Sequence, residues 1–144
     1  MIIEDFYNML LTKKLAIPEG IQGCTQEEVE KIEKHFKVTL PGLYKDFLLR
    51  MGHGAGEYLV GTDIFYKYIF DLKEGAEELL EEDNAEFKLP EHVFVFASHQ
   101  GYQYMYFDLA DNMDDPPVYY YLEGSGAPEK KWDSFSRFLL TYLA

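Results

Sequence analysis

Apolar positions recur at helical spacing through the first third of the chain and then change period. Ile3, Phe6, Tyr7, Leu10 and Leu11 fall on one helical face, with Glu4, Asp5 and Asn8 opposite. Pro18, Gly20 and Gly23 mark the loop that follows. Thr25 and Glu28 then form a capping-box pair, in which the hydroxyl and the carboxylate each satisfy an orphan backbone N–H. The helix they open carries Val29, Ile32 and Phe36 on one stripe and Glu27, Glu30, Lys31 and Lys34 elsewhere. Leu40-Pro41 begins a third helix, because a first turn has no use for the N–H that proline lacks. Leu43, Tyr44, Phe47, Leu48 and Met51 continue it, and Gly52 is placed for a left-handed stop.

Beyond Gly52, β-branched and aromatic residues dominate. The stretches 58–60 and 63–70 therefore read as strands. From Lys73 to Glu86 the chain returns to helix formers and is strongly acidic, with Leu79 and Leu80 as its main apolar anchors, so most of that helix should face water. Three further strands are predicted over 93–97, 104–108 and 118–123. The linkers between them, around Gly101 and from Asp111 to Pro117, are short enough for antiparallel neighbours. A closing helix sets Phe135, Phe138, Leu139, Tyr142 and Leu143 on one face, with Asp133 or Ser134 as its cap. Helices first, a meander next and a helix last predict an α+β fold: one domain over residues 1–144, a mainly antiparallel sheet packed with helices.

Composition adds what this domain can do. With 144 residues and 47% apolar content, the chain can bury a core without a disulfide or a metal to staple it. Its 26 acidic and 13 basic residues leave a net charge of −13, which repels the phosphates of nucleic acid and the face of an anionic membrane. A basic protein would be attracted, although the same charge also serves plain solubility. Cys24 is the single cysteine, so no internal disulfide forms, in keeping with a reducing compartment. Acidic neighbours, Glu27 and Glu28, would raise its thiol pKa and leave it inert. The segment from Met1 to Asp5 lacks a basic leader region, and no apolar run approaches the roughly 20 residues of a membrane span, so the expectation is a cytoplasmic protein.

Chemistry is sparse. His35, His53, His92 and His99 offer no pair four residues apart on a predicted helix, as a zinc-protease motif requires. Asp108, Asp111, Asp114 and Asp115 lack the alternate spacing, glycine and distal glutamate of a calcium loop. The glycines at 52, 54 and 56 lack the lysine of a phosphate loop. The reading assigns no catalytic residue, no metal and no cofactor. A metal-dependent enzyme built on His92, His99 and the 108–115 loop is the remote alternative.

Two features are candidates for binding a partner. One is acidic: Glu77, Glu78, Glu81 and Glu82 on the helix, joined by Asp111, Asp114 and Asp115 if both segments lie on one side. A solvated helix face is the competing reading. The other is Tyr120, which points away from the face shared by Tyr119 and Tyr121 and would anchor an interface if exposed.

From about Thr25 onward the order of motifs resembles the SUKH superfamily. The group includes Smi/Knr-like cell-wall assembly regulators and bacterial immunity proteins. The resemblance rests on Ile32-Glu33 and the run Leu40 to Leu48, then Asp63-Ile64-Phe65, Phe96-Ala97, Gly101 and Tyr106-Phe107-Asp108. It continues through Pro117 to Tyr121, Trp132, Ser134-Phe135 and Phe138-Leu139. Residues 1–24 lie outside it. Met51-Gly52-His53-Gly54 stands where the family often has Asn-Gly-Gly. The resemblance implies a non-enzymatic protein-binding domain: an immunity protein that neutralises a toxin by direct binding, or, alternatively, a regulatory scaffold.

Overall fold

The computed structural model describes residues 1–143. Helix α1 spans Ile3–Thr12, and a 3₁₀ turn at Pro18–Gly20 leads into the short strand β1, Ile21–Gln22. Helices α2, Gln26–Phe36, and α3, Gly42–Met51, follow, and β2, Gly54–Ala55, returns to pair with β1. Strand β3, Thr62–Asp63, precedes α4, Tyr66–Glu82. Strands β4, Val93–His99, β5, Gln103–Asp108, β6, Val118–Leu122, and β7, Glu129–Trp132, then run as a meander before α5, Phe135–Thr141. The main sheet is antiparallel throughout, in the order β3-β4-β5-β6-β7. The class is α+β, as the sequence predicts.

Alternation along the strands divides the core in two. Phe94, Phe96, Met105, Phe107, Val118 and Tyr120 face one side, where they join the buried residues of α1, α2, α3 and α5. Tyr44 of α3 stands at the centre of that layer, its ring 5.3 Å from Phe107, 5.6 Å from Phe94 and Phe135, and 5.9 Å from Phe96. Val93, Val95, Tyr104, Tyr106 and Tyr121 face the other side, against Leu72, Ala76, Leu79 and Leu80 of α4. A register shift between Val95 and Ala97 lets β4 turn Phe96 and Ala97 to the same layer.

The capping box at Thr25 and Glu28 is formed, and Ser134, not Asp133, caps α5 by accepting from the Arg137 N–H. Four expectations need correction. Residues 58–60 form a turn, not a strand; Tyr58 is buried there, and its hydroxyl donates to the Leu139 carbonyl at 2.7 Å. Most of the predicted strand at 63–70 is the first turn and a half of α4: Ile69, Leu72, Ala76 and Leu79 bury one helical stripe, and that long-range burial overrides local β propensity. Gly52 has φ −65°, so it is no left-handed stop. It is glycine because a Cβ would lie 2.4 Å from Cys24 Sγ and 2.5 Å from the Leu48 carbonyl. Finally, β7 is an unpredicted strand; Glu129, Lys130 and Lys131 are exposed and pair because β6 offers an open edge.

Candidate partner-binding surfaces

Helix α4 lies on its side of the sheet by the Leu72–Leu80 stripe, which turns Asp71, Glu74, Glu77, Glu78, Glu81 and Glu82 outward. Among the described residues no lysine, arginine or histidine approaches these six acids within ion-pair distance. The helix end is tied down by Asp83, whose carboxylate accepts from the Tyr121 hydroxyl and from the Gly124 N–H at 2.8 Å. Those two donors hold the Asp83 carboxyl below the usual carboxylate range. Beyond it the chain folds back under α4 and opens a groove of about 650 Å³. Leu80, Ala85, Phe87 and Leu89 supply its apolar lining, and Glu77 and Glu81 stand on its rim. Phe87 and Leu89 are half-buried against the second core. They are the residues that sequence reasoning passes over, although two large apolar side chains in an otherwise polar stretch are a readable signal.

The other acidic segment does not join this surface. The Asp114 carbonyl accepts from the Leu43 N–H at 3.0 Å, at the start of α3. The Asp115 carboxylate accepts from the Ser136 N–H at 2.9 Å and the Ser136 hydroxyl at 2.6 Å, in the first turn of α5. Both helices belong to the layer across the sheet from α4, and the two aspartates line a separate groove with Lys45, Asp46 and Leu49. Asp111 is exposed in the turn before them. Asp115 thus serves the first turn of α5, whereas Glu77, Glu78, Glu81 and Glu82 form a surface of their own.

Tyr120 is only 8% exposed. Its ring lies against Trp132 and under the Lys131 ammonium, 4.0 Å from the ring centre. The residue points away from Tyr119 and Tyr121 as predicted, but towards the larger core, and offers little surface to a partner.

The histidines do not converge. His92 precedes β4 and His99 ends it, so seven residues of extended chain, roughly 20 Å, separate them. His92 lies 3.3 Å from Asp108, and His99 Nδ1 lies 3.3 Å from the Thr62 hydroxyl. His53 has other company: its Nε2 is 2.8 Å from a Glu28 oxygen, and Cys24 completes a group whose ligand atoms lie within 4.8 Å of one another. Burial, helped by the Glu28 charge, pushes the Cys24 thiol up to about 12, so at neutral pH it is protonated. No spacing rule brings Cys24, Glu28 and His53 together; the pairing of β1 with β2 does.

A two-faced antiparallel sheet, cored by aromatic rings and covered by helices on both sides, defines the class of α+β domains. Comparison with protein families makes this specific: the profile described as SUKH_6, SMI1-KNR4 cell-wall, matches residues 26–139, and the chain belongs to that family. A comparison with curated proteins finds no match. No helix is long and apolar enough to cross a membrane among the described residues.

Proposed function

We propose that this domain is an immunity protein that neutralises a toxin by direct binding, and that the outer face of α4 receives a basic segment of that toxin. The supporting observation is the set of unpaired acids on α4 beside an apolar groove. Six acids with Lys88 as the one basic residue of the adjoining groove raise the local concentration of a cationic partner, and Leu80, Phe87 and Leu89 give that partner an apolar anchor point. The reading assigns no catalysis to the chain, and cytoplasmic residence follows from it, because a producing cell must be protected from within.

Co-expression with the product of the adjacent upstream gene tests the reading. Cell survival and a co-purifying complex are expected. In that complex, the triple variant E78K/E81K/E82K should lower the association rate at low salt by roughly tenfold or more and flatten its salt dependence. A neighbour that is harmless and does not co-purify favours the regulatory-scaffold reading of the same family instead.

A further inference from the structure

Three segments meet at the junction of β1, α2 and the end of α3, and we propose that Cys24, Glu28 and His53 form a Zn²⁺ site there. The donors are a thiol sulfur, a carboxylate oxygen and an imidazole nitrogen, a set that suits zinc and not the all-oxygen preference of calcium or magnesium. His53 Nε2 lies 2.8 Å and 3.0 Å from the two Glu28 oxygens. All three ligand atoms lie within 4.8 Å of one another, whereas tetrahedral zinc bonds of about 2.0–2.3 Å set donors about 3.3–3.6 Å apart. Closing around the ion therefore takes a side-chain movement of about 1 Å.

The ligands are held from outside the site. The Cys24 N–H donates to the Leu48 carbonyl at 2.8 Å, and the His53 N–H donates to the Gln22 carbonyl at 2.9 Å. Each ligand's backbone is thus tied to a segment that carries or adjoins another ligand. The capping box fixes Glu28, because the Thr25 N–H donates to its Oε1 at 2.9 Å. A hydrogen bond of that kind orients a metal-binding carboxylate. Gly52 leaves the sulfur its room, as its missing Cβ shows.

Glu28 and His53 are 29% and 35% exposed, so the fourth coordination position opens to water. On binding, the Cys24 sulfur loses its proton to solvent and bonds the ion, and no electron is transferred. The ion would join the β1–α2 connection to the α3–β2 turn. This site adjoins the first turn of α4, where the Tyr66 ring lies 5.3 Å from His53, at the opposite end of that helix from Glu77–Glu82, and stands or falls independently of the toxin reading.

Chelator-treated protein titrated with Co²⁺, then with Zn²⁺, tests the site. One equivalent of Co²⁺ should give thiolate-to-cobalt charge-transfer absorption and the visible bands of a tetrahedral ion, both abolished by Zn²⁺. Cys24→Ser should remove the charge-transfer band. Glu28→Gln, which keeps a capping-box residue, and His53→Gln should each weaken Zn²⁺ binding by at least roughly tenfold, with metal-free circular dichroism unchanged. Absence of the charge-transfer band at stoichiometric Co²⁺ overturns the proposal. So does unchanged Zn²⁺ affinity in the Glu28 and His53 variants, which would trace binding to scattered surface carboxylates.

Discussion

The outer face of α4 is built against its own electrostatics, and reversing two charges measures by how much. Glu74 and Glu78, Glu77 and Glu81, and Glu78 and Glu82 are like charges four residues apart on an exposed helix. Glu81 and Glu82 also stand in the last turn, at the negative end of the helix dipole, and no basic residue in that turn offsets them. In the double variant E81K/E82K, Glu77 and Glu78 each gain an oppositely charged neighbour in the favourable order, acid before base. Replacing a repulsion of about 0.2–0.5 kcal/mol by an attraction of similar size changes each pair by about 0.4–1 kcal/mol. Moving each lysine into the last turn adds about 0.3–1 kcal/mol more. Lys88, which also lines the groove, offsets part of the gain. The variant should therefore be more stable than the natural protein by about 1–3 kcal/mol at low ionic strength. At about 2–4 °C per kcal/mol, its Tm should rise by roughly 3–10 °C. Urea denaturation followed by circular dichroism gives the free energy directly. Repeating it in about 1 M NaCl, where the screening length falls to about 3 Å, should erase most of the gain. A variant no more stable than the parent, or a gain that persists in high salt, would refute the reasoning. Under the proposed function, the same variant binds its partner more slowly while folding more tightly.

Three further outcomes follow from the packing. Tyr58→Phe removes the 2.7 Å bond to the Leu139 carbonyl, one of the last acceptors of α5, and should cost about 1–3 kcal/mol in denaturant titrations. Asp115→Ala deletes both bonds to Ser136 and should destabilise by about 1–2 kcal/mol, with partner association unchanged, because the residue accepts from the first turn of α5 and lies across the sheet from α4. The last concerns pH. Burial holds the Tyr58 hydroxyl well above its ordinary range and pushes Tyr106 up to about 12. Both groups are neutral when protonated, so above their unfolded pKa near 10 the native state retains more protons than the unfolded state. Their contribution is complete below about pH 10 and is lost as pH rises through 10–12, so unfolding midpoints should fall between about pH 10 and 12. Midpoints that stay level across that range would contradict the burial of these hydroxyls.

Local signals carried what the sequence by itself determined. The Thr25–Glu28 box, the 3.6-residue stripes of α1, α2, α3 and α5, and the β-branched and aromatic runs of β4, β5 and β6 each act within a few residues. With the short linkers they determined the α+β class, and the motif order carried the family resemblance that the profile over 26–139 shows to be membership. The acidic, solvated face of α4 was legible for the same reason, since every residue of it lies on one helix.

Tertiary structure decided the rest, because those outcomes depend on contacts between residues far apart in the chain. Tyr66–Phe70 are strand formers by composition, yet they wind into α4 because the sheet's second face needs a continuous helical stripe to cover it. Glu129–Trp132 has no strand pattern of its own and becomes β7 only because β6 presents unpaired backbone groups. Alternation predicted that Tyr120 points away from Tyr119, but which of the two faces lies under the larger core is set by where α3 and α5 pack. Whether the two acidic segments form one patch depended on which helices hold Asp114 and Asp115, and the sheet keeps them apart from α4. Cys24, Glu28 and His53 were unremarkable in the chain because they are brought together by the pairing of two-residue strands, a contact too short to leave a periodic trace in the sequence.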